Sequence, residues 1–504
     1  MKAFSNLSKD IKTVILIVFS GLFIRLIALP FSVTVESDAV NRVNIAWHWL
    51  EEPHFITHGV WGPLHTYLIA AGIWLIKDPV LSPKLLNIFF SVATAVVLYF
   101  FTKNEFSERA SWFVCYTFLF YPVGFRNSLQ ALSDTPFVFF VALSLLFLSK
   151  ARQKDGSGKH ALIAGLSLTL ASMLRYEGWV LIPLLSVLLW KKPKSLLAFF
   201  LVSMIFPTFW MVGNHIHYGD ALYSTNYQQE VELTLNRDMT QEEIIQRILY
   251  FPLVLFFGMT IPVFLCSLLG ITLSLVNRKS NFVWLIPFSG LFTIFFLKSL
   301  TGSLALQTRY SLLLGMFLLV FSAEAFNKIP SKQLRISMGT IIIFLMIPLS
   351  YIKDNAYVPG FLSKIIPKDI EAIPRASKYV EGISLSTNEK LDTRNDSIIV
   401  VNFGIGIGHQ IAFRTHISPP KQLVIPYGFQ QESDWKNLEK FFDNHKKGII
   451  VLKAGSHSIS SIHLIEKIQL KINSVNNLVA LNLLEDTSHA LIYHYQIINE
   501  NKGD

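Results

Sequence analysis

Charge is what this chain has least of. Asp, Glu, Lys and Arg make up 15% of its 504 residues, where a soluble protein of ordinary composition carries about a quarter. That scarcity excludes a conventional soluble enzyme and a disordered chain. Cysteine is nearly missing as well. Cys115 and Cys266 are the whole complement, both inside hydrophobic runs, so no disulfide framework is expected. No internal repeat or low-complexity tract stands out. The first apolar run ends in Ile27-Ala28-Leu29-Pro30-Phe31, without a small-residue cleavage motif, which predicts a retained anchor rather than a secretory signal. A dinucleotide fingerprint is also lacking. Phe403-Gly404-Ile405-Gly406-Ile407-Gly408 follows a strand-like run, but its spacing is G-x-G-x-G and not G-x-G-x-x-G, and a flexible turn is expected there.

Apolar residues fill the space that charge leaves. The chain is 52% hydrophobic with 41 Phe, and its mean hydropathy is +0.44. A helix needs about 20 apolar residues to cross a bilayer. Runs near that length recur over residues 12–31, 85–101, 110–125, 135–148, 161–174, 179–190, 196–212, 250–275, 282–297, 310–326 and 339–352. The expected fold class is a polytopic α-helical membrane protein with about eleven spans, followed by a C-terminal extracytoplasmic α/β domain.

The net charge of +10 is spread over short loops, which points to membrane orientation and away from nucleic acid. With a cytoplasmic N-terminus, the inner loops hold Lys103, Lys150, Arg152, Lys154, Lys159, Lys191, Lys192 and Lys194. They also hold Arg278, Lys279, Lys328, Lys332 and Arg335. The outer loops carry far fewer basic residues, so the positive-inside bias puts everything after Tyr351 outside. Counting residues 64–76 as a span would invert this pattern. Segments 39–49 and 64–76 are therefore expected as helices at the outer interface, with Trp47, Trp49, Trp61, Tyr67 and Trp74 at headgroup level.

The predicted boundaries are a membrane domain over 1–352, with its first outer loop at 32–84, and a soluble domain over 353–504. In the latter, strand-like runs at 397–401, 422–425, 448–452 and 478–483 alternate with an amphipathic helical stretch near 434–445.

Charged groups at membrane depth are costly and mark function or buried pairing. The outer-facing set is Glu36, Asp38, Arg42, His65, Arg126, Asp134, Arg175, Glu177, Lys298 and Arg309. Asp38 opens a helical stretch, where a helix N-terminus favours a carboxylate anion, the form a general base needs. It also reads as a simple cap. Asp134, just before Thr135-Pro136, reads as a helix N-cap or as a site carboxylate. Arg175 and Glu177 read as a local pair capping two short helices or as part of a site. Arg309-Tyr310 opens a span, so its guanidinium is placed to grip a phosphate or to snorkel to lipid headgroups. Glu36 and Asp38 offer hard oxygen ligands for Mg²⁺, Mn²⁺ or Ca²⁺, but two carboxylates alone do not define a metal site.

Five segments in this order resemble the polyprenyl-phosphate-sugar-dependent glycosyltransferases of the GT-C superfold. These are Glu36-Ser37-Asp38, the run from Trp61 through Gly62, Pro63, Leu64, His65, Thr66 and Tyr67 to Leu68, Ser133-Asp134-Thr135-Pro136-Phe137, Arg175-Tyr176-Glu177-Gly178, and Arg309-Tyr310. The nearer branch looks like the protein O-mannosyltransferase and lipid A aminoarabinose transferase relatives, and the resemblance covers about the first 350 residues.

The resemblance implies a polyprenyl-phosphate-sugar donor, a glycan, lipid or protein acceptor, and transfer to a hydroxyl with inversion. It makes Asp38 the base, with Glu36 beside it, and Arg309 a phosphate ligand. Tyr310, Lys298, Arg126, His65, Arg175, Glu177 and Asp134 follow as substrate-binding candidates. Two departures stand out: Glu comes first in the acid-x-acid pattern, and Gly62-Pro63 stands where the family has a double proline. The rival readings are a transporter or flippase of lipid-linked sugars, for which no matched pair of broken helices is visible, and a membrane scaffold.

Overall fold

The computed structural model describes residues 8–54, 59–153, 156–236, 239–350, 372–374, 377–392, 395–415, 417–429, 432–454, 465 and 477–499. Lys154, the end of the last expected span and the predicted boundary at 352/353 lie outside them. The chain divides into two compact units. One comprises Met1–Ser32, His54–Leu68 and Lys84–Pro374; the other comprises Val33–Pro53, Ile69–Pro83 and Arg375–Asp504.

The first unit is helical, and the chain is an integral multi-pass membrane protein. Among the described residues, seven helices are long and apolar enough to cross a membrane: Lys9–Phe31, Leu81–Glu105, Asp134–Arg152, Pro193–Tyr218, Ser280–Leu300, Thr308–Asn327 and Lys332–Ser350. An eighth arises if Gln241–Gly258 and Ile261–Val276 count as one broken span. The remaining expected spans are helices too, but short ones. Glu108–Phe120 has 13 residues and Gly158–Ser172 has 15, and Glu177–Leu189 is likewise a shorter apolar helix.

The run expected as one span over 250–275 is bent by 106°. Pro262 has no N–H to offer Gly258, which removes a helical bond at the break. Thr260 takes up the turn at φ +67°, a backbone region costly for a β-branched residue.

Several hydroxyls inside the bundle donate to carbonyls of their own helices. Thr94 Oγ1 donates to the Phe90 carbonyl at 2.7 Å, Thr117 to Phe113 at 2.7 Å and Ser203 to Phe199 at 2.8 Å. Such back-bonding lets polar side chains sit where lipid offers no partner. Several basic residues assigned to inner loops pair with acids on neighbouring helix ends. Lys103 meets Asp10 at 2.7 Å, Arg152 meets Glu105 at 3.5 Å, and Lys279 pairs with Glu324.

The second unit holds a five-stranded sheet: β1 (Ser397–Val401), β2 (Gln422–Ile425), β3 (Lys447–Lys453), β4 (Asn477–Asp486) and β5 (Ala490–Asn499). Its order is β2-β1-β3-β5-β4. β1 pairs in parallel with β2 and β3, and the β3–β5 and β5–β4 pairings are antiparallel. β1 is apolar along its length because both faces are covered. Ile398 and Val400 join Val380, Ile383, Ile411 and Ala412 on one face. Ile399 and Val401 join Leu438 and Phe442 on the other. The four expected strands and the helix Glu432–Asn444 are present. β5 was not foreseen. Gly404–Arg414 is a helix and not the expected flexible turn.

Gly270 sets one helix contact in the first unit. A Cβ built there would lie 1.8 Å from the Phe321 carbonyl oxygen, so helix Ile261–Val276 meets the chain at 321–322 backbone to backbone. Gly270→Ala is expected to destabilise the protein by about 1–3 kcal/mol through overpacking, read as a lowered Tm in detergent. An unchanged Tm would show that this approach relaxes without cost.

Candidate active site

One buried ion cluster in the helical unit gathers several of the expected residues. Asp134 is the first residue of helix Asp134–Arg152, and its N-cap position is taken by Ser133. The Asp134 carboxylate is thus available for an ion pair: Oδ1 accepts from Arg175 Nη1 at 2.9 Å. Arg175 Nη2 donates to Glu177 Oε1 at 2.7 Å, and Nε lies 3.2 Å from both Glu177 oxygens. The side chains of Asp134, Arg175 and Glu177 are only 4%, 12% and 16% exposed. Burial alone would weaken the hold of the Arg175 guanidinium on its proton. The charges of Asp134 and Glu177 outweigh that and raise its pKa well above the usual arginine value.

Tyr310 supplies the floor of this cluster. The Arg175 guanidinium lies 5.1 Å from its ring centroid and that of Arg309 lies 5.9 Å away, both within cation–π range. Arg309 Nε donates to Gln307 Oε1 at 2.7 Å. A small cavity touches Asp134, Arg175, Glu177, Arg309 and Tyr310, walled by Phe137, Phe295 and Leu313. It offers ≈ 10 Å³ to the centre of a water-sized sphere, about the room one water needs. Asp134 Oδ2 is buried and has no hydrogen-bond partner among the described residues.

The turn that carries Arg175 is held from the segment just before helix Leu64–Ile76. Leu64 N–H donates to the Met173 carbonyl at 3.3 Å, and Tyr176 Oη donates to the Val60 carbonyl at 2.9 Å. A Cβ on Gly62 would stand 2.2 Å from the Met173 oxygen, so the residue in Gly62-Pro63 has to be glycine for the two segments to meet.

The other candidates are placed elsewhere. His65 is buried in the first turn of helix Leu64–Ile76, and Arg126 is buried in the short helix Pro122–Ser128. Lys298 sits in the last turn of helix Leu285–Leu300. None of these three lines the Tyr310 cavity. Glu36, Asp38 and Arg42 belong to the second unit. There, helix Ser37–Glu51 has Glu36 at its N-cap and half-buried Asp38 in its first turn. Among the described residues no three His, Cys, Asp or Glu side chains gather where a metal ion could be held. Among the described residues Glu36 and Asp38 have no third His, Cys, Asp or Glu gathered with them.

Sequence reasoning missed Arg25, which is fully buried in helix Lys9–Ala28. It donates to Ser128 Oγ at 3.0 Å, Ser91 Oγ at 2.9 Å and the Leu119 carbonyl at 2.8 Å, and lies 4.8 Å from the Phe125 ring centroid. These contacts hold helix Pro122–Ser128, the element bearing Arg126. The available signal was a single arginine inside an otherwise apolar run.

The chain has the fold seen in solved GT-C glycosyltransferases. Residues 58–212 match the sequence model of the family described as dolichyl-phosphate-mannose-protein mannosyltransferase.

Among solved structures, the chain is similar to ArnT from Cupriavidus metallidurans bound to undecaprenyl phosphate. The identity is 12%, the TM-score 0.60, and the match covers 95% of this chain and 97% of that one. The same protein in the apo state matches at 11% identity and TM-score 0.60, over 97% and 98% of the two chains. The archaeal oligosaccharyltransferase AglB from Archaeoglobus fulgidus, in complex with an inhibitory peptide and a dolichol-phosphate, matches at 13% identity and TM-score 0.50. That match covers 97% of this chain and 74% of AglB. No curated protein sequence matches the chain. The transporter reading gains no support from these similarities.

Removing Arg175 would strand two buried carboxylates. Arg175→Ala is expected to cost about 3–5 kcal/mol of stability, visible as a large fall in Tm. The triple change Asp134→Asn, Arg175→Met, Glu177→Gln should recover much of it. A mild effect of Arg175→Ala would mean that the carboxylates are not held charged by this residue.

Proposed function

We propose that the chain is a membrane glycosyltransferase that moves a sugar, a mannose-like hexose or a related one, from a polyprenyl-phosphate donor to an acceptor hydroxyl at the outer membrane face. The observation that carries this reading is the family match over 58–212, a segment that contains His65, Arg126, Asp134, Arg175 and Glu177. The full-length likeness to a protein solved with undecaprenyl phosphate supports the same donor class. In this reading the N-terminus is cytoplasmic. Residues 1–352 form the transferase domain, and 353–504 form an extracytoplasmic domain.

The chemistry is a single displacement. The acceptor oxygen attacks the anomeric carbon, its proton passes to the Asp38 carboxylate, and the bond from that carbon to the phosphate oxygen breaks on the opposite face. The polyprenyl phosphate leaves with the electron pair, and the configuration inverts. An anionic base is needed before the step begins, and the first turn of helix Ser37–Glu51 is an electrostatically favourable place for one. Glu36 orients the acceptor beside it.

The charge that develops on the leaving phosphate needs cations. Arg309 is the chief candidate: it opens a span, lines the small cavity beside Tyr310, and stands next to an Arg175 that is engaged by two carboxylates. A guanidinium can take a phosphate by two parallel hydrogen bonds. Arg175, Asp134 and Glu177 then keep Tyr310 and Arg309 in place. Lys298, Arg126 and His65 are further phosphate-binding candidates. The acceptor is a glycan, a lipid or a protein.

Transfer from a panel of radiolabelled polyprenyl-phosphate sugars in membranes tests the reading. Wild type should transfer from one donor, and Asp38→Asn should lose at least about a thousandfold in kcat while keeping its Tm. Full activity in Asp38→Asn would remove Asp38 as base. In the same assay Arg309→Ala should raise the donor KM and lower kcat, with partial recovery in Arg309→Lys because lysine keeps the charge but not the fork. Equal activity of all three would remove Arg309 from the phosphate site.

A further inference from the structure

Val33–Pro53 and the C-terminal sheet fall in one compact unit, and a single hydrogen bond shows how they are tied. Helix Ser37–Glu51 starts at Glu36, whose backbone is extended (φ −91°, ψ 122°) and whose side chain makes no capping bond. The first helical bonds are backbone ones: Ala39 N–H to the Glu36 carbonyl at 3.1 Å and Val40 N–H to the same oxygen at 3.3 Å. Glutamate is not among the residues that cap a helix start well. The chain entering this helix is also held from 375 residues away, where Gln410 Nε2 donates to the Val35 carbonyl at 2.8 Å.

Gln410 stands on helix Gly404–Arg414, which packs against helix Ser37–Glu51 on one side and against β1 and β2 on the other. The packing of helix Ser37–Glu51 uses its small side chains. Ala39, Val43 and Ala46 are completely buried and lie along one stripe. Asp38 lies off that stripe and is half-buried.

Helix Gly404–Arg414 is itself anchored to the sheet. Asn402 N–H donates to the Ile425 carbonyl at 2.9 Å and Gly404 N–H to the Pro426 carbonyl at 2.7 Å. Gly404 adopts φ +77°, which glycine takes without strain. A Cβ on Gly408 would come within 2.8 Å of Val424 Cγ1, so glycine also lets the helix close onto β2. Two of the three glycines, Gly404 and Gly408, thus have a structural reason that involves no nucleotide.

We propose that Gln410 is a positioning residue for the transfer reaction, and that the C-terminal domain serves to hold Glu36-Ser37-Asp38 in its working orientation. The inference rests on the reading of Asp38 as base. It assigns the tail a part in the chemical step without any contact to substrate. Misplacing a reacting group by an ångström costs up to about a hundredfold in rate, so one lost bond at the start of this helix is enough to be seen.

Two variants of the full-length protein test it. Gln410→Glu keeps the size and packing of the side chain but, ionised, has no N–H to donate. Gln410→Ala removes the group. Both are expected to lower kcat about tenfold or more with the donor KM within about twofold of wild type. Amide hydrogen exchange of residues 37–42 should speed up in both variants, while exchange in β1 and β3 stays unchanged. Wild-type kcat and exchange in Gln410→Glu would overturn the proposal. So would a parallel loss of kcat, donor affinity and protection in the sheet, since that marks general loosening. If wild type transfers no sugar from any donor, the transferase reading fails by itself. The exchange measurement then still decides whether Gln410 holds the helix.

Discussion

The helical unit depends on one guanidinium that is balanced on two sides. Arg175 is fixed by Asp134 at the start of one helix and by Glu177 at the start of another, and it rests on Tyr310 at the start of a third span. In a medium with little water, none of these charges is tolerable without the others. The requirement therefore couples the ends of three helices whose apolar surfaces alone would let them slide past one another. Gly62 extends the constraint to a fourth segment, because its missing side chain lets residues 60–64 close onto the turn that carries Arg175. Arg309 stands at the same ring of Tyr310 and donates to Gln307.

Much of this was readable in advance because it follows from composition. A span such as Leu81–Glu105 announces itself by length and apolarity. β1 announces itself as a β-branched run covered on both faces. What escaped the reading hangs on single residues or on distant partners. The break at Thr260 is invisible to hydropathy, which stays high across it, and turns on the missing N–H of Pro262. The part played by Arg25 could not be read, because its acceptors, Ser91, Leu119 and Ser128, are brought beside it only by helix packing. β5 carries its alternating signal in Leu491, Tyr493, Tyr495 and Ile497. It follows β4 through a tight turn in which Thr487 Oγ1 accepts from the His489 and Ala490 N–H groups.

The site was legible in part for the same reason. Asp134, Arg175, Glu177 and Arg309 could be picked out as charges near the ends of apolar runs, but their meeting at one ring could not. The small cavity among them, and the buried Asp134 oxygen without a partner among the described residues, belong to three-dimensional packing. His65, Arg126 and Lys298 satisfied the same sequence criterion and are placed elsewhere. Proximity to a helix end is thus a weak guide to which charges share a pocket. The glycine run at 404–408 shows the converse. Its spacing suggested a loop, yet Gly404 supplies a positive φ at the start of a helix and Gly408 lets that helix sit close to a strand.

The bond between Gln410 and Val35 spans 375 positions of the chain, and this has a consequence for biogenesis. Translation delivers Asp38 first and its support last, so at about 5–20 residues per second the helix beginning at Ser37 waits on the order of 20–75 s for its partner. Throughout that interval the nascent protein is already threaded into the bilayer, but its first loop has no surface to settle on. With Asp38 as base, a product cut short before Gln410 would be made without the bond that ties its helix, so a loop made early would depend on a residue made much later.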